Sequence, residues 1–278
     1  MGIMERAATI FGVGSAQASA PPTGMGRGEV EARLREGVRS LARLDLCGAD
    51  LAELDLEGVD LSEARLRGAT LRGANLRGAN LTGAQLCGTD LTGAVLENAM
   101  LRGINSLRTG ALRPPTLDGA NLSGADLTGA ELNNASLDGA TLTGAVLEDA
   151  GLGQAKLTGV NAGGARLRGA NLRHAKLGGA TFSGAQLDEA DLTRAGGEGV
   201  NLSGASLVRA NLTGAALQGA DLSGAVLREA QLDEAVLRGA NLRGAVFTGA
   251  DLDGADLGGA DTEGADFTGA HNLPRAPA

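Results

Sequence analysis

The side chains able to do chemistry in this chain are few in kind and regular in spacing. His174 and His271 are the only histidines, and neither stands with a distinguishable nucleophile and acid. Serines and aspartates recur at equivalent positions of a short repeat, which is the pattern of a solvated surface and not of a nucleophile-base-acid arrangement. Cys47 and Cys87, the only cysteines, have no clustered histidines and make no zinc pattern. No catalytic activity, metal or cofactor is expected. Two groups of charge stand apart. Arg102, Arg108 and Arg113 occupy a stretch with no acidic residue between Glu97 and Asp118. Asp251, Asp253, Asp256, Asp261, Glu263 and Asp266 follow Arg243 with no basic residue before Arg275.

What must position these groups is a five-residue unit. Residues 69–83 read Ala-Thr-Leu-Arg-Gly, Ala-Asn-Leu-Arg-Gly, Ala-Asn-Leu-Thr-Gly, and most of the chain copies that unit. On an α-helix, five residues advance roughly 500°, so successive leucines spread around the cylinder instead of forming a stripe. On a flat strand an odd period sends them to opposite faces. Collagen needs glycine at every third position, and here the spacing is five with 6 prolines in the chain. A coil that turns at each unit remains. Leucine and the alanine two residues before it point inward, while the residue between them and the two after leucine face solvent or make the corner. One such unit cannot bury its apolar side, so stacking must supply the core.

These copies resemble the pentapeptide-repeat family, whose pattern is Ala-(Asp/Asn)-Leu-x-x, over about residues 44–271. The resemblance implies an all-β fold, a right-handed quadrilateral parallel β-helix in which four units make one turn and residues twenty apart lie above one another. It also implies a non-enzymatic scaffold for a protein partner. Some members of the family are DNA mimics that engage DNA gyrase or another type II topoisomerase and confer resistance to quinolones. Net charge −9 and a single break in the repeat agree with that variant. Against it, the central residue here is leucine where those relatives often use phenylalanine, and the charge is mixed along the chain.

In chain order, residues 1–27 lack the repeat and read as a disordered tail. Ala7–Val13 followed by Ala18-Ser19-Ala20 has the outline of a signal peptide, but the apolar run is minimal and Glu5 sits in its leading segment. No run of 18 apolar residues is present for a membrane span. Residues 28–43 form a capping helix, with Val30, Leu34, Val38 and Leu41 on one face; the alternative use of that face is to bind a partner. Leucine is central in every unit from Leu46 to Leu101. Cys47 and Cys87 share a slot two coils apart, roughly 9 to 10 Å and beyond disulfide reach, with Arg67 between them. Free thiols favour a reducing, cytoplasmic location.

After Leu101 the leucines fall at Leu107, Leu112 and Leu117, so the frame gains one residue. Either a bulge near Asn105 or a projecting loop near residues 103–115 satisfies the register, and Pro114-Pro115 favour the loop. From Leu117 to Phe267 the central residue is leucine except at Ala162, Phe182, Gly197, Phe247, Thr262 and Phe267. Ala162 and Gly197 are expected to thin the core. The whole array makes about eleven coils and a rod of roughly 50 Å. Residues 272–278 read as a second tail.

Twenty-residue stacking puts Glu57, Arg77 and Glu97 in one column, Glu148, Arg168 and Asp188 in another, and Glu189, Arg209 and Glu229 in a third. These alternating charges account for most arginines without nucleic acid. With net charge −9 and no Trp or Tyr, direct nucleic-acid binding is not expected. The terminal acids fit two roles, a charged cap against end-to-end stacking and a surface for a basic partner.

Overall fold

The computed structural model describes residues 24–106 and 113–273. Of the expected tails, 1–27 and 272–278, residues 1–23 and 274–278 lie outside this range; residues 24–27 instead belong to the N-terminal segment that packs on the first coil. Within it the chain is a solenoid in which residue n forms a parallel bridge with residue n+20, as in Ser40 to Asp60 to Asn80 and Thr141 to Asn161 to Thr181. Four five-residue units therefore complete one coil, and each side of the coil contributes one short bridge.

The repeat can be derived by asking where its backbone N–H groups go. In the unit Ala64-Arg65-Leu66-Arg67-Gly68, the Arg65 and Gly68 amides bond to neighbouring coils, at Leu44 O (2.9 Å) and Cys87 O (3.0 Å), and the Leu66 amide bonds to Gln85 O (3.0 Å). The next alanine, Ala69, closes the corner by donating to Leu66 O (3.0 Å). Only the residue after leucine lacks a backbone acceptor. In many units the Asp or Asn before leucine supplies one: Asp126 Oδ1 accepts from Thr128 N (3.0 Å), and Asn211 Oδ1 from Thr213 N (2.9 Å). That is the physical reason for Asn/Asp at this slot. In a few units where a different residue precedes leucine, a side chain of the previous coil supplies the acceptor, as Asp118 Oδ1 does for Asp138 N (2.9 Å).

The last residue of each unit sits in the left-handed region, for example Gly129 at φ 62°, which explains the glycine there. The inward leucines and alanines form one continuous core, with Leu46 to Leu252 essentially inaccessible. Gly197 leaves no thin spot, contrary to expectation. A Cβ built on it would lie 2.8 Å from Leu217 Cδ2, so the leucine one coil on already fills the space.

Helix α1 runs Arg27–Arg35, shorter than the expected 28–43. Gly37 (φ 82°) ends it, with Val38 N donating to Arg33 O (2.9 Å) and Gly37 N to Leu34 O (3.0 Å), the two bonds of a Schellman motif. Leu41 consequently belongs to the core stack and not to the helix, and the ladder begins at Ser40, not at residue 44. Val38 is exposed. The N-terminal segment covers the first coil: Val30 joins the core, Met25 N donates to Asp45 O (2.7 Å), and Arg27 Nη1 donates to Ala52 O (2.8 Å). Both carbonyls would otherwise face a missing coil.

Candidate interaction surfaces

The frame slip resolves into an insertion. Asp90 bridges Thr116, Val95 bridges Asn121, Met100 bridges Asp126 and Asn105 bridges Glu131. Each step is twenty-six residues instead of twenty, so six residues are added between Asn105 and Thr116. Ser106, not Leu107, takes the central slot before the insertion; it is buried, and its Oγ donates to Glu131 O. Ser106 escapes detection because its hydroxyl satisfies a ladder carbonyl where every other unit relies on packing. Pro115 takes the inward alanine slot and is buried. The N–H it lacks is the one that closes the preceding corner, and here that corner is replaced by the insertion.

Of the arginines expected to decorate the insertion, Arg102 pairs with Asp126 on the next coil (3.5 Å). Arg113 is exposed, and its carbonyl accepts from Cys87 Sγ (3.5 Å). Arg108 lies outside the described residues. Burial pushes the Asp126 carboxyl up, but Thr128 and Arg102 together bring it below the usual carboxylate range. Cys47 and Cys87 are both free and buried, with Arg67 between them in the ladder. Burial pushes the Cys47 thiol up.

The terminal acids are far from the insertion along the rod and do not share one face. Asp251, Asp256, Asp261 and Asp266 are five residues apart, so one falls on each side of the last coil. Each caps its own corner, for instance Asp266 Oδ1 accepting from Thr268 N (2.9 Å) and Asp256 Oδ1 from Gly258 N (2.9 Å). Arg243 pairs with Asp261 (3.0 Å) and Glu263 (2.5 Å), and Arg238 with Asp256 (3.5 Å). Asp253 donates its amide to Asp251. Among the described residues, the amides of Leu257, Thr262 and Phe267 have no backbone acceptor, so this end is open.

Charge pairing along the rod follows two rules. Arg77 with Glu97 (2.5 Å), Arg209 with Glu189 (2.5 Å) and Arg43 with Glu63 (3.0 Å) obey the twenty-residue column. Arg72 with Asp90 (3.2 Å), Arg173 with Asp191 (3.0 Å) and Arg166 with Glu148 (2.5 Å) are diagonal, eighteen apart. Column counting misses these because a long guanidinium reaches the neighbouring slot. Arg168 turns to Glu189 (3.1 Å) and not to the expected Glu148 and Asp188. These exposed pairs are screened by solvent and add little to stability.

The solenoid interior is filled, and a shallow concavity of about 530 Å³ lies on its outside, lined by Asn134, Gln154, Lys156, His174 and Lys176. No group of described residues could hold a metal ion, and no described helix is long and apolar enough to cross a membrane.

The comparisons with known proteins agree with this geometry. The model of the Pentapeptide repeats family matches in 8 copies, over residues 40–78, 69–105, 116–149, 165–195, 198–229 and 230–269. No match is found among curated proteins. Among solved structures, the chain is similar to HetL, a pentapeptide repeat protein involved in heterocyst differentiation regulation from the cyanobacterium Nostoc sp. strain PCC 7120. Identity is 33%, covering 88% of this chain and 96% of HetL, with a TM-score of 0.43. It is similar to a pentapeptide repeat protein of the Arabidopsis thaliana thylakoid lumen (33% identity, 40% and 68% covered, TM-score 0.23). It also matches QnrB1, a plasmid-mediated fluoroquinolone resistance protein (18% identity, 76% and 86% covered, TM-score 0.26). With the family model matched along most of the ladder, the chain belongs to the pentapeptide-repeat family.

Proposed function

We propose that this protein is a non-catalytic, right-handed quadrilateral scaffold that presents surface features to a protein partner in the cytoplasm. The observation that carries this reading is the six-residue insertion between Asn105 and Thr116, the one interruption of the twenty-residue step among the described residues. A loop on a regular scaffold is where binding usually resides. Two unbridged thiols support a reducing compartment. Removing residues 107–112 restores the twenty-residue register, so the deleted rod should fold. Cross-linking with the intact and the deleted rod then tests the reading: a partner held by the first and lost by the second supports it, and identical partner sets sink it.

A second reading, that of a DNA mimic acting on DNA gyrase, draws on the net charge of −9 and the carboxylates around the last coil. Supercoiling by purified gyrase, with and without a quinolone, across a titration of this protein is its test. Inhibition or rescue supports it, and no effect at any concentration removes it.

A further inference from the structure

Asn134, Gln154, His174 and Arg194 occupy one corner of four successive coils, each at the second residue after its central leucine. Their φ values are 62°, 58°, 56° and 53°. This is the left-handed slot that glycine fills in most units, and a side chain there is strained. The comparable non-glycine run, Glu189, Arg209 and Glu229, is tied into ion pairing through Arg209 and Glu189. No such compensation exists at this corner. Among the described residues, the side chains of Asn134, Gln154, His174 and Arg194 make no hydrogen bond or ion pair within the chain.

Beside them, Lys156 and Lys176 are directly bridged neighbours in the parallel ladder, both exposed and neither paired with a carboxylate. Like charges directly opposite destabilise a sheet. Their ladder continues to Ser136 on one side and Gly196 on the other, so no acid adjoins the pair within the column. Asp138, on the adjoining slot, is held by the Thr158 amide (2.9 Å). Single unpaired side chains at left-handed positions occur elsewhere, as at Glu53 and Glu234, but four on successive coils beside a like-charge pair mark a functional surface.

The chemistry selects the occupant. The backbone amides here are spent on the ladder, as Lys156 N on Ala135 O (2.9 Å) and His174 N on Thr193 O (3.0 Å). No amide nest is left for a phosphate. The concavity is open and offers no enclosure to a small anion. A nucleic acid meets a chain of net charge −9, with Phe182 and Phe247 buried and no Phe, Tyr or Trp at the corner on which to stack a base. An acidic polypeptide needs only sparse cations and amide donors along one line. Three coil steps of about 4.8 Å span about four residues of extended chain.

We propose that this corner is a docking strip for an extended acidic segment of a partner protein. Its carboxylates pair with Lys156, Lys176 and Arg194 and accept hydrogen bonds from Asn134, Gln154 and His174. The proposal gives partner chemistry to the scaffold reading and rests on it; its residues lie outside the insertion, with Asn134 in the coil laddered onto the insertion's C-terminal end through Thr116 and Ser136.

The test is fluorescence anisotropy of a labelled (Glu-Ser)4 peptide with the full chain, with (Gln-Ser)4, inorganic phosphate and an oligothymidylate of equal length as competitors. The expected result is saturable, salt-weakened binding, reduced about tenfold or more by K156Q/K176Q. The Q154G/H174G variant should bind more weakly while its unfolding temperature rises, an opposition that a purely structural role does not produce. Absence of saturable binding, or binding by both variants as tight as that of the parent, overturns the proposal. Stronger competition by phosphate or the oligonucleotide than by unlabelled (Glu-Ser)4 also overturns it. A rod lacking residues 107–112 should bind the peptide unchanged. If the peptide fails while a partner is still captured through the insertion, the docking strip falls and the scaffold reading stands.

Discussion

The rings of Phe247 and Phe267 stack across successive coils, with centroids 4.8 Å apart and planes within 8°. Phe247 is fully buried, and Phe267, in the last coil, is the aromatic that covers it. Stacked pairs of this kind contribute about 0.5 to 1.5 kcal/mol beyond burial. Phe267→Ala should therefore cost about 1 to 3 kcal/mol. The loss should concentrate at the open end, seen as faster amide exchange in residues 245–270 with the N-terminal coils unchanged. Uniform exchange changes along the rod would refute this localisation.

Gly129 (φ 62°) has no atom within 4 Å of a built Cβ. Gly129→Ala thus isolates the backbone term from packing, and should destabilise by about 1 to 2 kcal/mol. Gly129→Asn should be milder, since asparagine tolerates this region. Chemical denaturation of the two variants orders them, and equal losses would point to packing instead.

Asn201 Oδ1 accepts from the Ser203 amide (2.9 Å) and hydroxyl (2.7 Å). Asn201→Ala leaves that amide without its acceptor and should cost about 1 kcal/mol, within the 0.5 to 2 seen for lost caps. Asn201→Asp keeps the acceptor, and its denaturation midpoint should stay near that of the parent.

Burial pushes the Asp191 carboxyl up, yet the Thr193 hydroxyl and amide, with Arg173, together hold it below the usual carboxylate range. Asp90 is lowered in the same way, against its own burial, by Thr92 and Arg72. A depressed folded pKa stabilises fully above the unfolded value, near 3.9, and the contribution is lost as pH falls through the folded value. The unfolding temperature should hold down to about pH 4 and then drop. Asp191→Asn should flatten that acid limb while lowering stability at neutral pH; an unchanged limb would exclude Asp191 from the response.

Cys47 and Cys87 are unbridged and buried. In native protein both should react with a thiol reagent far more slowly than after denaturation, when two equivalents titrate. Fast native labelling of Cys87 would show that the contact with the Arg113 carbonyl does not shield it.

Much of this structure was legible in the residues. The inward leucine-alanine pair, the glycine corners and the shared slot of Cys47 and Cys87 all follow from a repeat that must turn every five residues. The end of α1 was legible too, had Gly37 been read as a stop; the apolar spacing of Val38 and Leu41 outweighed it. Ser106 was hidden because a hydroxyl bonded to a ladder carbonyl leaves no apolar mark.

Sequence alone determined the unit, because each of its five amides needs a particular acceptor and each of its side chains a particular side. The number of units per coil was not in the period. It is set by the corner angle at which the chain returns beneath itself, a property of backbone geometry summed over four turns. Only that closure decides which residues become neighbours. It converts Asp90 and Thr116 into partners across the insertion and lets Arg173 reach diagonally to Asp191. It also brings Lys156 against Lys176 beside a strained His174, a juxtaposition that twenty intervening residues conceal.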